Sequence, residues 1–413
     1  MQINQKKQTA RGAFGVCTLS ALYVVLVTLI PIMGFGAKGT STNTILKAAI
    51  FIIYIGALFL LAKFKMVIGG GRVYILLAYL FSQALCFTYS QYSVAMIDIV
   101  NQAAILFALF LLLPKTRGQK RDIVNGIKIL VLFDIAAIIY NFFLHFDRFI
   151  SLSFLTNVYY DMYSFFDNKN TYGMILFVTL VLLFYWRSIC DTEDAKTKKR
   201  INKMIYVQLF AIAVSMCRTA LVCTIIFLLC DYLRDLSARR LLTAIGLGFA
   251  FAIVYSIPSV KEYLLYILFR VDVDTYREPI VEASLELVRE NPLFGCGQGS
   301  WGETLAKISR NAYSHNGFLS VLMNGGMIYF SAYVVIIIRA LSSAIRIRKI
   351  NRNLGSQVFI FVLAVVVYAF FEATVLCEVN ASNFAFTIGA IILPQLYLNM
   401  STCSEEEHPK LIR

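Results

Sequence analysis

The sequence predicts an all-α polytopic membrane protein with about 12 transmembrane helices. Of its 413 residues, 59% are hydrophobic and only 15% are charged, whereas a soluble globular chain is about half apolar and a quarter charged. Apolar runs of about 20 residues, the length that crosses a bilayer, recur along the whole chain. They lack the alternation of polar and apolar residues that marks strands, so they indicate helices. We expect residues 1–413 to form one integral membrane domain.

Twelve apolar segments are assigned as spans. They lie near 13–33, 45–62, 73–89, 93–113, 122–144, 171–188, 204–216, 219–233, 241–258, 316–338, 354–371 and 383–400. The seventh and eighth come from one apolar stretch that the residues SMCRT interrupt. A single span there would place Arg218 in the hydrocarbon, at a cost of a few kcal/mol. We therefore expect a short helical hairpin at 204–233, with Arg218 at its outer tip.

The basic residues support this assignment and set its orientation. With both termini inside, the inner segments hold about two thirds of the 38 Lys and Arg residues, as cytoplasmic loops should. The short outer loops hold only Lys38. Treating the interrupted stretch as one span would place the basic run RIRKINR outside. The net charge of +14 is thus distributed loop by loop, which indicates a cytoplasmic-membrane protein with both termini cytoplasmic rather than a nucleic-acid-binding protein.

This topology gathers the unusual polar residues on the outer face. Two long outer segments are expected there, one at 145–170 and a larger one at 259–315. The larger one contains most of NPLFGCGQGSWGETLAKISRNAYSHNGF, which begins at residue 291. Three alternate glycines and a histidine mark this stretch: Gly295, Gly297, Gly299 and His315. Alternate glycines allow tight turns or close approach of the backbone to a ligand, including a phosphate held by loop amides.

Two side chains in this outer set suit acid–base and phosphate chemistry. Histidine has an ordinary pKa of about 6.5, so His315 suits a general base; the alternative is a polar residue that marks the start of a helix. Arg218 has a planar guanidinium that fits a phosphate; the alternative is an anchor that reaches from the hydrocarbon to the surface. Arg270 and Arg277 are expected on the same face.

An amphipathic helix is predicted directly after these arginines. In REPIVEASLELVRE, one helical face carries Ile280, Ser284, Leu287 and Val288. We expect this helix to lie on the outer surface of the membrane, with its glutamates as a solvated face.

Five elements, in order along the chain, resemble the O-antigen polymerase and O-antigen ligase family of bacterial surface-polysaccharide enzymes. They are DNKNTYG, VSMCRTALV, YREPIVEASLELV, ENPLFGCGQGSW and SHNGFLSVLMNGGMI, which together span roughly residues 160–335. The chain departs from the family pattern where Asn324 replaces a glutamate, Tyr329 a glycine and Met216 a serine.

The resemblance implies a GT-C-like fold and glycosyl transfer at the outer face of the cytoplasmic membrane. It implies undecaprenyl-diphosphate-linked oligosaccharide as substrate, with no metal or other cofactor. His315 would take or orient the proton of the acceptor hydroxyl, and the loop glycines, Asn316 and Asn170 would position the substrate. Three arginines would bind the diphosphate: Arg218, Arg277 and Arg270. A flippase and a chain-length regulator are the protein partners that this resemblance suggests.

Two other functions are compatible with the sequence. An O-antigen ligase would perform the same chemistry on another acceptor; polymerase is preferred because that activity also serves capsule and exopolysaccharide pathways. A flippase or transporter of lipid-linked oligosaccharides would use charged residues within its spans. Asp98, Lys128 and Asp134 are candidates. We prefer to interpret these three as pairing with one another between the fourth and fifth spans.

Overall fold

The computed structural model of the chain describes residues 15–30, 41–89, 96–151, 164–166, 168–190, 195–235, 237–258, 261, 277–302, 305–306 and 314–407. All regular secondary structure in these ranges is helical. The helices are α1 (Val16–Leu29), α2 (Ser41–Leu61), α3 (Gly70–Tyr89), α4 (Met96–Phe107), α5 (Lys120–Leu144), α6 (Phe146–Ser151), α7 (Lys169–Ile189), α8 (Ala195–Val214), α9 (Arg218–Leu233), α10 (Ala238–Tyr255), α11 (Arg277–Glu290), α12 (Gly317–Ile350), α13 (Arg352–Phe371), α14 (Ala381–Thr387) and α15 (Leu393–Glu407). Two π-helical segments, Ala108–Leu112 and Ile388–Ile392, extend α4 and join α14 to α15.

Seven helices in the described part are long and apolar enough to cross a membrane, which confirms the prediction of a helical membrane protein. They cover Gly70–Thr88, Met96–Lys115, Lys120–Leu144, Lys169–Ile189, Gly317–Ile350, Arg352–Phe371 and Ala381–Thr402. Two shorter apolar helices, Val16–Leu29 and Ile45–Leu61, accompany them. Helices also lie at the other predicted spans, as α8, α9 and α10. The count of twelve spans stays a prediction.

Helix α7 is the most enclosed of these seven. From Tyr172 to Ile189, every residue except Arg187 is buried. A helix that is apolar on every side packs on every side, and α7 contacts α5, α8, α9, α13 and α14. This enclosure fixes the first turn of α7 beside the ends of its neighbours, where polar side chains meet.

Helices α8 and α9 are separated by a three-residue break at the SMCRT sequence. α8 ends at Val214 and α9 begins at Arg218. Met216 in the break has a positive φ of 54°, a left-handed conformation that ends a helix and reverses the chain direction locally. Both helices pack against α7, so the break lies beside the start of that central helix.

A second break occurs inside α12, at two adjacent glycines. Gly325 and Gly326 leave the helical conformation, and Gly326 has a φ of +59°. The break exposes backbone groups that a continuous helix would use internally. They bond instead to the segment 291–302, which we call the glycine loop: Met327 N donates to Pro292 O at 2.9 Å, and Cys296 N donates to Met323 O at 2.7 Å. The glycine loop is therefore docked on α12.

Helix α11 forms as predicted, but its apolar face packs on protein rather than on lipid. Ile280, Ser284 and Leu287 are buried, in a small core shared with Trp301 of the glycine loop and Met323 of α12. The docked glycine loop and α12 supply the apolar protein surface that covers this face, and the position of α11 at the outer surface of the membrane stays a prediction. Glu282, Glu286 and Glu290 of α11 are exposed, as expected.

Candidate active site

His315 is held immediately before α12 by the SHNG sequence. Asn316 caps the helix, with Oδ1 accepting from the backbone N–H of Phe318 and Leu319 at 3.0 Å each. His315 itself has a left-handed φ of 49°, which is strained for a residue with a side chain. Gly317 packs so closely on the carbonyl of Thr374 that a Cβ there would overlap it. The local sequence thus fixes His315 against the segment that follows α13.

Glu372, the first residue after α13, joins His315 to a second predicted site residue. Its Oε2 lies 3.8 Å from His315 Nδ1, and its Oε1 accepts a hydrogen bond from Asn170 Nδ2 at 2.9 Å. The Glu372 side chain is 9% exposed and that of His315 is 22% exposed. A largely buried carboxylate that faces an imidazole nitrogen limits the orientation of the ring. The sequence motifs did not mark Glu372, because it follows an ordinary apolar span.

The first turn of α7 brings the break between α8 and α9 into the same cluster. Asn170 is in this turn, and its Oδ1 lies 3.9 Å from Cys217 Sγ. The same thiol lies 3.7 Å from Tyr368 Oη of α13. Gly173 permits this approach, since a Cβ there would overlap Cys217. Burial raises the pKa of Cys217 to about 11, so its thiol is protonated at neutral pH and does not act as a nucleophile.

Of the three predicted phosphate-binding arginines, Arg218 is the one whose side chain lies within the described residues. It follows Cys217 directly, is the first residue of α9 and is half-buried. Arg277 is the first residue of α11, but its side chain lies outside the described residues. Arg270 lies outside them altogether. The structure therefore brings His315 and Asn170 together through Glu372, which the sequence did not predict, with Asn316 next to His315 and Arg218 next to Cys217 in the chain.

The three glycines of the glycine loop share a left-handed backbone, and Gly295 also packs against α12. Gly295, Gly297 and Gly299 all have positive φ, between 73° and 99°, and a Cβ at Gly295 would overlap the backbone of α12. The loop amides donate within the protein: Gly299 N to Asn324 Oδ1 at 3.2 Å, and Gln298 N to Gln83 Oε1 at 2.9 Å. These donors are engaged, so the predicted phosphate cradle does not fit the loop as it stands.

Asn324 explains one departure from the family pattern. Its side-chain oxygen accepts from both Gly299 N and Trp301 Nε1, the latter at 2.6 Å. Its backbone oxygen accepts from Gln83 Nε2 at 2.7 Å. Asn324 is therefore the residue through which the broken α12 holds the glycine loop.

A second carboxylate, Glu378, lies in the same segment between α13 and α14. Asn383 Nδ2 donates to its Oε2 at 2.5 Å. Burial raises the pKa of Glu378 to about 7, and the hydrogen bond from Asn383 partly opposes that shift. Glu378 therefore titrates near neutral pH, although no sequence motif indicates it.

The charged residues of the fourth and fifth spans do not pair with one another as predicted. Asp134 is buried and accepts from Gln208 of α8, whereas Lys128 is exposed and lies 5.4 Å from the ring centroid of Trp186. The two are six residues apart on α5, which places them on faces about 120° apart. Asp98 faces the glycine loop. Three separate environments give no continuous charged path within the described residues.

Among the described residues, no three His, Cys, Asp or Glu side chains are grouped so that they could hold a metal ion. The cluster offers a histidine that faces a largely buried carboxylate, and a half-buried arginine begins the helix that follows Cys217. Compared with protein-family models and with curated proteins, the chain has no significant match.

Proposed function

We propose that this protein is a glycosyltransferase of the polysaccharide-polymerase type. It transfers oligosaccharide from undecaprenyl diphosphate at the outer face of the cytoplasmic membrane, as the resemblance to the O-antigen polymerase and ligase family implies. The observation that carries the proposal is the pairing of His315 with the buried carboxylate of Glu372. Asn170 bonds to that carboxylate, and Arg218 begins the neighbouring helix.

In the proposed reaction, His315 takes the proton of the acceptor hydroxyl. Because Nδ1 faces Glu372, Nε2 is the nitrogen that receives it, and the carboxylate stabilises the resulting imidazolium. The acceptor oxygen forms a bond to the anomeric carbon as the bond from that carbon to the diphosphate oxygen breaks. The released diphosphate carries away the bonding electrons, and Arg218, with Arg277 and Arg270, neutralises its charge.

The proposed topology has twelve spans, both termini in the cytoplasm and a GT-C-like arrangement of the site. It is supported by the helices found at each predicted span and by the break at SMCRT. It places the starts of α7, α9 and α12 on the outer side, where a flippase would deliver substrate and a chain-length regulator would act. The scattered environments of Asp98, Lys128 and Asp134 favour an enzyme over a transporter.

The test is polymer length in a strain that lacks the native gene and carries His315→Ala or Arg218→Ala. Surface polysaccharide is resolved on a gel, and the membrane level of each variant is checked. Arg348→Ala, an exposed position on α12, is the matched control. We expect single repeat units with the two site variants and normal polymer with the control. Normal polymer from both site variants would refute the proposed polymerase activity. Polymer that forms but stays on its lipid carrier would indicate a ligase.

A further inference from the structure

A narrow cleft lies far from the candidate active site. It has a volume of about 20 Å³ and a polar lining of Arg72, Arg339, Ser343 and Gln395, with apolar side chains elsewhere. Arg339 follows the cap residue Asn316 by 23 positions on α12, which is roughly 34 Å along a helix at 1.5 Å per residue. The hydrocarbon core of a bilayer is about 30 Å thick, so this arginine cleft lies at the opposite end of the membrane domain from His315.

The arginines of the cleft repel one another. Arg72 and Arg339 are both half-buried and come from different helices, and Arg346 lies close enough to add to the repulsion. In the described ranges, neither Arg72 nor Arg339 forms a salt bridge with a carboxylate. Bringing like charges together at low dielectric is unfavourable unless an anion joins them. The cleft therefore has the charge of an anion site.

Both π-helical segments of the described chain line this cleft. Ala108–Leu112 contributes Leu109 and Phe110, and Ile388–Ile392 contributes Ala390 and Ile391. A π-helical turn is rare, distorts the regular hydrogen-bond ladder and is frequently found at functional sites. Two such turns from distant parts of the sequence, meeting at one cleft, indicate that its shape serves a ligand.

The backbone before Arg72 points to the same conclusion. Gly69, Gly70 and Gly71 are consecutive, yet none has a positive φ, and a Cβ at Gly69 or Gly70 would meet no atom within 4 Å. Gly71 is only in ordinary contact with Arg339 Nη1, at 3.6 Å. Three glycines cost conformational entropy without a packing reason in the protein itself. Gly70 and Gly71 begin the 20-residue α3. The N–H groups at the start of a helix favour an anion.

We propose that the arginine cleft binds the phosphate group of an anionic phospholipid in the leaflet that this end of the protein contacts. Arg72 and Arg339 make charge-assisted hydrogen bonds to the phosphate oxygens, and the glycine backbone approaches the same group. The cleft itself has room for about one water molecule, so the phosphate lies at its mouth, against the two guanidinium groups. This inference does not depend on the proposed glycosyl transfer.

The experiment uses the purified full-length protein in a neutral detergent and measures its thermal unfolding midpoint. Phosphatidylglycerol, phosphatidylcholine or inorganic phosphate is added over a range of concentrations. We expect phosphatidylglycerol to raise the midpoint of the wild type well above the effect of the other two. In Arg72→Ala and Arg339→Ala, we expect half-maximal stabilisation to need at least about tenfold more phosphatidylglycerol. Arg348→Ala is the matched control, because nine residues place Arg348 on the face of α12 opposite Arg339.

Gly70→Ala keeps both arginines and adds a methyl group where the protein leaves open space, so it tests the site even if the arginine variants fail to fold. We expect it to weaken the phosphatidylglycerol effect while the protein without lipid stays as stable as the wild type. Equal stabilisation by phosphatidylglycerol and phosphatidylcholine would overturn the proposal, as would arginine variants that behave like Arg348→Ala. If inorganic phosphate alone raised the thermal midpoint as much as phosphatidylglycerol does, the ligand of the cleft would be a soluble phosphate and the lipid proposal would be overturned.

Discussion

At the scale of single residues, the two oxygens of Glu372 have different partners. One accepts from Asn170 and the other faces His315, so a single carboxylate fixes the amide of α7 and the imidazole before α12. The hydrogen bond to Asn170 requires only an acceptor, whereas stabilisation of a protonated His315 requires the negative charge. These two contributions can be separated by an isosteric substitution.

We expect Glu372→Gln to lower the rate of polymer formation by about 100-fold or more, the scale of a general acid–base contribution. Its amide oxygen still accepts from Asn170, so the protein should reach the membrane at the normal level. The rate is measured with purified protein and lipid-linked oligosaccharide over a range of pH. Glu290→Gln, on the exposed face of α11, should leave the rate unchanged. A normal rate for Glu372→Gln would exclude the proposed role of the carboxylate.

Glu378 gives a pH dependence of stability. Burial raises its pKa from 4.5 to about 7, so folding disfavours its charged form. The contribution of Glu378 to the free energy of unfolding is most favourable below about pH 4.5. It is lost as pH rises through about 7, by at most about 3 kcal/mol. The difference in thermal midpoint between wild type and Glu378→Gln, measured from pH 4 to 8, should show this fall. A difference that does not vary with pH would contradict the raised pKa.

At the scale of elements, the fold depends on two interrupted helices. The break between α8 and α9 places Arg218 at a helix start, and the break inside α12 receives the glycine loop. Gly295 and Gly326 meet there, each with a positive φ and each without room for a Cβ. The helix break and the loop are thus one packed unit, which also covers the apolar face of α11.

We expect Gly295→Ala and Gly326→Ala each to destabilise the protein by more than about 1 kcal/mol, because both φ and the available space oppose a side chain. The measurement is the thermal midpoint in detergent, together with the amount of folded protein in the membrane. Gly246→Ala in α10 is the matched control, since a Cβ there meets no atom within 4 Å. It should be neutral or slightly stabilising. Equal effects at all three positions would refute the packing role.

Sequence patterns predicted the helices, the position of the break at SMCRT and the apolar face of α11, because apolar periodicity and the cost of a charge in lipid are local properties. They also selected His315, Arg218 and Asn170. They did not predict that the apolar face of α11 packs on the glycine loop. They could not identify Glu372, whose contact with Asn170 joins residues 202 positions apart. The glycine pattern was ambiguous as well, because a loop that binds phosphate and a loop that packs on a broken helix need the same residue type.

At the scale of the whole molecule, the enclosed α7 and the long α12 relate the two ends of the membrane domain. α7 begins beside Glu372, and α12 runs from His315 to the arginine cleft. Arg72, Arg339 and Arg346 lie close together at the cleft end, whereas the described part of the candidate active site holds a carboxylate that faces an imidazole. This asymmetry agrees with a protein that works on one face of the membrane and is anchored by positive charge on the other.

The orientation itself gives the last prediction. If α8 and α9 form a hairpin, residue 290 at the end of α11 faces outside and residue 348 near the end of α12 faces the cytoplasm. If 204–233 formed a single span instead, residue 290 would face the cytoplasm and residue 348 would face outside. We expect alkaline phosphatase fused after residue 290 to be active and a fluorescent protein fused after residue 348 to be fluorescent, because each reporter folds only on its own side. Basic residues in α12 and its following turn favour this result. The reverse pattern would place His315 and Glu372 in the cytoplasm and exclude transfer at the outer face.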